Sequence, residues 1–227
     1  MGAGQRGTAG SRTVSTDPAP ARRAYRLPRR EQQAAETRAS VLDAAILLFA
    51  DRGWAGTGMR DVAREASVSV ETVYANFPSK SELLMAAIDV AVVGDAEPVS
   101  LDQRREFTAL GQGSREQRAR AAAGLVTGIH RRTAGVHLAL REAAASDLDA
   151  ARRLREGEQR RRTNVEQGAS LVAGRAVTAE ECDGLWAVTD VEVYRLLTDL
   201  RGWTAKQYET WLADVIERLL HDPGGRR

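Results

Sequence analysis

The chain has 227 residues, with 33 lysines and arginines against 31 acids and 43% apolar residues, enough for a small domain and a larger one, each with a sizeable core. Its single cysteine, Cys182, excludes an intramolecular disulfide framework, and no apolar run approaches the ~20 residues of a membrane span. With no apolar signal-peptide core near its start, the expectation is a soluble cytoplasmic protein that makes no membrane contact and keeps Cys182 as a small buried hydrophobe.

Charge is unevenly spread. Residues 1–30 carry seven arginines against one acid, Asp17. That segment contains Gly, Ser, Thr and Pro without periodicity, and it reads as a disordered, solvated arm. Arg22, Arg23, Arg26, Arg29 and Arg30 could lie along phosphates or in a minor groove if the next domain binds DNA. Residues 31–84 carry five basic and eight acidic side chains, and residues 85–227 carry 21 and 22. The positive excess therefore sits in the arm.

The most informative stretch is 57–84. Val62, Ala63 and Ala66 recur at helical spacing, Ser67-Val68-Ser69 interrupts, and Val73 and Phe77 resume the spacing until Pro78 stops it. Two short helices joined by a three-residue turn form a helix-turn-helix, whose second helix enters the major groove of DNA. Ala63 lies where the two helices approach closely. Val62, Val68 and Val73 are expected to fill the space between them, with Phe77 as the anchor. Ser69 is the expected N-cap of a helix over residues 70–77. Ser79-Lys80-Ser81-Glu82 reads as a capping box opening the next helix, to residue 93. The remaining face of the second helix (Val70, Glu71, Thr72, Tyr74, Ala75) has no packing logic of its own and is free to read a ligand.

These residues resemble a known family. Thr57, Arg60-Asp61-Val62-Ala63, Ala66-Ser67-Val68-Ser69, Thr72-Val73-Tyr74, Phe77-Pro78-Ser79-Lys80 and Leu83-Leu84 look like the DNA-binding domain of TetR/AcrR-family transcriptional regulators. Residues 37–52, followed by Gly53-Trp54 and Gly56-Thr57, match that family's first helix and its glycine-bounded turn. One position departs from the pattern: the turn residue, usually glycine, is Ser67, where a positive φ would cost about 1–2 kcal/mol relative to glycine. The expected DNA-binding residues are Thr57, Arg60, Ser69, Val70, Glu71, Thr72, Tyr74, Ala75, Asn76 and Lys80. Thr72, Tyr74 and Lys80 are assigned to phosphates, Val70, Glu71 and Ala75 to bases, and Arg60 to a guanine or a phosphate. Lys80 stands out because only Lys80 and Lys206 are lysines in an arginine-rich chain, and a compact ammonium beside a helix start suits a phosphate.

After a loose stretch at 94–113, helices open at legible caps. Ser114 and Gln117 make a capping box for a helix to about residue 130. Further helices are expected at 135–145 and 148–173, from Thr178 to about 200, and from Thr204 to about 221. No segment reads as a strand. The last two helices carry more apolar surface than one face can bury: Trp186, Val193, Leu196 and Leu200 in one, Trp211, Leu212, Val215, Ile216 and Leu219 in the other. A helix apolar on two sides lies deep in a core or meets a second subunit. The resemblance implies the latter, a homodimer on an inverted-repeat operator.

Other chemistry finds no support. His130 and His137 share a face only if one helix runs through Thr133-Ala134-Gly135, and no ligand partner stands at metal spacing around them. No phosphate loop, nucleophile elbow or apolar-set carboxylate pair occurs. No metal, cofactor or enzymatic activity is expected. The architecture expected is all-α: an arm at 1–30, a helix-turn-helix three-helix DNA-binding domain at 31–84, and a helical effector-binding and dimerisation domain at 85–227. The function expected is a homodimeric repressor released from double-stranded operator DNA by a small apolar ligand, with Leu125, Val136, Leu140 and Trp186 as candidate pocket residues. The alternative is an effector-independent architectural protein or one controlled by a protein partner.

Overall fold

The computed structural model describes residues 29–220 except 96 and 98. The arm lies outside these residues apart from the backbone of Arg29 and Arg30, which begins the first helix. The fold is all-α: among the described residues every regular element is helical.

The N-terminal unit comprises α1 (Arg29–Arg52), α2 (Met59–Glu65) and α3 (Val70–Asn76). α4 (Lys80–Val93) comes next. Val41, Ala45, Phe49, Val62, Val73, Leu83 and Leu84 are essentially inaccessible to solvent. They form one apolar cluster with Val136, Ala139, Leu140 and Ala143 from further along the chain. α4 thus crosses the boundary expected after residue 84, and the head shares its core with the C-terminal domain.

A short helix, α5 (Arg105–Thr108), lies between two 3-10 turns. α6 (Arg115–Ala144) and α7 (Leu148–Ala173) are long; α8 (Ala179–Val188) and α9 (Val191–Arg195) are short. α9 runs into a π-helical turn, Leu196–Leu200, and α10 (Ala205–Leu219) closes the domain. α6 is the hub, packing against α10, α7, α4 and α1. Capping boxes form at Ser114, Thr178 and Thr204 as read from sequence. At Ser79 only the serine arm forms, Oγ accepting from the Glu82 amide at 3.1 Å.

Three helix boundaries differ from the sequence reading, the first being the start of α1 at Arg29 instead of residue 37. No break occurs at residues 130–135: α6 is continuous, and His130 and His137 lie on one helix. Gly135 serves close packing there, since a Cβ on it would fall 2.6 Å from the Ala50 Cβ and 2.8 Å from its Cα on α1. The helix expected from Thr178 to 200 is interrupted at Thr189-Asp190, where the Asp190 side chain accepts from the Glu192 amide and starts α9.

The second core gathers Phe107, Leu110, Ala123, Leu185, Tyr208, Leu212 and Ile216. Within it the Thr189 carbonyl, an obligate acceptor, lies 3.1 Å from His130 Nε2, so that nitrogen carries the proton. Nδ1 then accepts from the Tyr208 hydroxyl at 3.2 Å. Both ring nitrogens are satisfied, and burial, outweighing the Thr189 bond, holds the pKa down to about 4. His130 is a neutral core histidine. Cys182 is buried, as expected of a small hydrophobe.

Candidate nucleic-acid interface

α3, the second helix of the helix-turn-helix, is held from both ends. At its start the Ser69 Oγ accepts from the Thr72 amide at 3.2 Å and pairs with the Thr72 hydroxyl at 3.0 Å. At its end Arg38 of α1 donates to the Asn76 carbonyl at 3.2 Å, its guanidinium 4.2 Å from the Phe77 ring centroid. Ser40 of α1 donates to the Ala66 carbonyl at 3.3 Å and so pins the turn. In that turn Ser67 adopts φ 56°, and the Val68 amide bonds to the Ala63 carbonyl at 2.9 Å. The left-handed conformation that favours glycine is occupied by serine. Ser67→Gly is therefore expected to stabilise the protein by about 1 kcal/mol in thermal unfolding, with φ retained; a neutral or destabilising effect would show that the turn is not strained.

The structure separates the expected contact residues. Arg60, Ser69, Glu71, Tyr74 and Ala75 are exposed, and Tyr74 is 50% accessible. Thr72 and Asn76 are half-buried, and the Asn76 amide caps its own helix by donating to the Thr72 carbonyl at 2.9 Å. Val70 is half-buried and packs on the head's core with part of its surface. Glu71 is held below the ordinary carboxylate value by its own backbone amide and then by the Ser69 hydroxyl, so it stays an acceptor.

Two residues have other duties. Thr57 is 1% exposed, its hydroxyl donating to the Leu48 carbonyl at 3.0 Å. Its side chain pins α2 to α1 and does not face out, because a hydroxyl buried there must use the nearest free carbonyl. Lys80 extends back over the Trp54 ring, its Nζ 4.1 Å from the centroid, and donates to the Trp54 carbonyl. Burial lowers its pKa and the nearby Glu142 opposes that. The ammonium thus bridges the start of α4 to the turn after α1.

That turn is gripped from the far domain. Glu142 on α6 accepts from the Trp54 amide at 2.7 Å and the Ala55 amide at 3.1 Å, while Asp147 accepts from Ser81 on α4 at 2.6 Å. The roles of Arg38, Ser40 and Glu142 carry no sequence signal, and Trp54 is marked in the sequence only as part of the glycine-bounded turn. Trp54 beside two glycines was the one available signal, since a large aromatic in a glycine-bounded turn must have a specific seat.

Beneath the head lies a cavity of about 690 Å³ between α4, α6, α7 and α10, a volume typical of small-molecule sites. Met85, Ile88, Leu125, Ile129, Leu140, Leu154, Val165 and Ile216 give it apolar walls. Leu125 and Leu140 therefore stand where a pocket was expected. Val136 does not: it is wholly buried in the core shared with α1 and α4. Trp186 is absent from the walls and lies under the Arg161 guanidinium, 4.8 Å from its ring centroid.

The apolar residues expected at a dimer interface divide similarly. Leu212 and Ile216 face inward, 0% and 3% exposed. Val193, Trp211 and Leu219 pack against the second core, and Trp186 and Val215 are half-buried. Leu196 and Leu200, on the π-helical turn, are 52% and 75% exposed.

Among the described residues, no helix is long and apolar enough to cross a membrane. The sequence profile of the bacterial regulatory proteins of the tetR family matches residues 41–87. The transcriptional activator FasR of Mycolicibacterium smegmatis is 36% identical over 94 residues, 39% of this chain and 41% of that protein. The transcriptional repressor KstR of the same organism is 35% identical over 83 residues, 37% and 38% of the two chains. The chain thus spans about two-fifths of the length of the curated relatives it matches. A solved transcriptional regulator from Saccharomonospora viridis, in complex with choline, shares the fold over 80% of this chain and 96% of its own, with a TM-score of 0.61 and 23% identity. The likeness in sequence thus lies in the helix-turn-helix head, where residues 41–87 match the profile of the bacterial regulatory proteins of the tetR family and curated regulators align.

Proposed function

We propose that the chain is a homodimeric, sequence-specific DNA-binding repressor that a small apolar molecule releases from an inverted-repeat operator. On this reading it acts in the cytoplasm, without cofactor or enzymatic activity. The observation that carries it is α4: one helix packs on α1 in the head, bridges to the Trp54 turn through Lys80, and walls the cavity with Met85 and Ile88. A ligand seated against α4 has a direct mechanical route to the reading helix. Release requires the ligand to prefer the conformation that cannot bind DNA, and reciprocity then requires operator DNA to weaken ligand binding by the same factor. The relatives include an activator and a repressor. Repression is preferred here because cavity and reading helix share one lever.

The test is footprinting on the protein's own upstream region, followed by operator affinity in the presence of compounds that raise the melting temperature. An inverted-repeat footprint lost on adding a stabilising compound is expected. If every stabilising compound leaves operator affinity untouched, control by a protein partner takes its place. In the same assay Tyr74→Ala should lower affinity by roughly tenfold on operator and on random DNA alike, the size of one phosphate hydrogen bond and independent of sequence. A loss confined to the operator would move Tyr74 from phosphate to base contact.

A further inference from the structure

Several of the polar groups that face the middle of the cavity are engaged with the protein itself. His130 is bonded on both nitrogens, Thr133 donates to the Ile129 carbonyl at 2.9 Å, and Thr189 donates to the Leu185 carbonyl at 2.7 Å. Glu158 and Asp190 share Arg161, at 2.9 and 3.1 Å. His137, half-buried on α6 and lining the cavity, makes no hydrogen bond to any described residue. An imidazole in such a place presents one donor and one acceptor to whatever fills the space. Asn164 on α7 lines the same cavity, likewise without a hydrogen bond to any described residue and likewise uncharged.

A second feature points to the same ligand. Gly157 lies in the interior of α7, where glycine weakens a helix relative to alanine. No packing demand explains it, since a Cβ there would meet nothing within 4 Å. It lines the cavity, so the missing side chain leaves room in a wall shared with His137. Gly168, in contrast, has Phe107 3.5 Å from where its Cβ would lie.

Charge narrows the class. The acids facing His137 (Glu158 and Asp190) are both paired with Arg161, and Asp190 also has Arg141 at 3.7 Å. Phe107 is the one phenylalanine, tyrosine or tryptophan among the described wall residues, too few for an aromatic cage around a quaternary ammonium. Burial, the largest influence on His137, lowers its pKa against the pull of Glu158 and Asp190, so His137 itself offers no cation to a carboxylate; the arginines Arg153 and Arg160 line the cavity from exposed positions on α7. We infer that the cavity takes an uncharged apolar molecule carrying a single hydroxyl-type group, which His137 anchors and for which Gly157 leaves room. This rests on the effector-release reading for its regulatory meaning but not for the binding itself.

The experiment measures binding by calorimetry with four probes on one skeleton: biphenyl, 4-hydroxybiphenyl, biphenyl-4-carboxylate and 4-(trimethylammonio)biphenyl. The full-length protein should bind 4-hydroxybiphenyl about tenfold more tightly than biphenyl, the worth of a hydrogen bond that only the hydroxyl completes. The carboxylate and the ammonium should bind more weakly than biphenyl, because each would leave a charge desolvated. In His137→Phe the preference for the hydroxyl should vanish while biphenyl still binds. Gly157→Met should lose all four probes yet keep its affinity for operator DNA, which shows that it folds. Tightest binding by a charged probe, a preference that survives in His137→Phe but is lost in Asn164→Leu, unchanged binding in Gly157→Met, or no binding by any probe would overturn the inference. Binding as expected, with operator affinity unmoved by the bound probe, would uphold this site and refute effector release.

Discussion

Leu196→Glu combined with Leu200→Glu is expected to give a folded chain that sediments as a monomer and binds operator DNA at least about a hundredfold more weakly. The two leucines stand half and three-quarters exposed on the π-helical turn after α9, so charging them removes little from the chain's own core. What they would lose is the proposed partner subunit. Two heads joined in a dimer bind an inverted repeat with an avidity of order 10²–10⁴ above one head alone, and a monomer forfeits that factor. π-helical turns also occur often at functional sites. Ile216→Glu, which sequence spacing alone would offer as an equivalent test, is not one. Ile216 is 3% exposed and walls the cavity, so its replacement buries a charge inside one chain and unfolds it. Sedimentation and circular dichroism on the leucine pair, with operator binding alongside, distinguish the outcomes. A native dimer in the double variant would move the interface elsewhere.

Gly135→Leu should be the most destabilising single change among the glycines of the helical domain. The first atom of any side chain there lands 2.6 Å from the Ala50 Cβ and 2.8 Å from its Cα, and a backbone atom cannot swing aside as a side-chain tip can. α6 must move off α1, at a cost of about 3 kcal/mol or more, or roughly 6–12 °C in melting temperature for a chain of this size. The contact joins the hub of the C-terminal domain to the first helix of the head, so operator binding should fall as well. Gly157→Ala supplies the opposite sign from the same residue type. Its Cβ meets nothing, and the helix gains about 0.5–1 kcal/mol from lost backbone freedom in the unfolded chain. Thermal unfolding of the two variants side by side tests the assignment, and equal effects would refute it.

What the sequence alone determined is what neighbouring residues decide between themselves. The caps at Ser69, Ser114, Thr178 and Thr204 formed because a side-chain oxygen and an amide three residues on are held together by the helix itself. The helix-turn-helix was legible for the same reason: Val62, Ala63, Val73 and Phe77 lie at helical spacing, and Pro78 ends the pattern. Glu71, Tyr74 and Ala75 were readable as exposed because no periodic face claimed them. Tertiary structure decided the rest. Gly135 reads locally as a break and proves to be a crossing point, since only the position of Ala50 on another helix shows why a Cβ is excluded. Thr57 turns inward to the Leu48 carbonyl, and Lys80 settles on Trp54. Glu142 reaches an amide 88 residues away. Which stripe of α10 faces inward, and which of the two histidines on α6 makes no hydrogen bond to a described residue, are likewise set by how helices far apart in the chain pack around α6. The cavity itself is space between helices, and no local rule of spacing or capping carries information about space that the chain only encloses when folded.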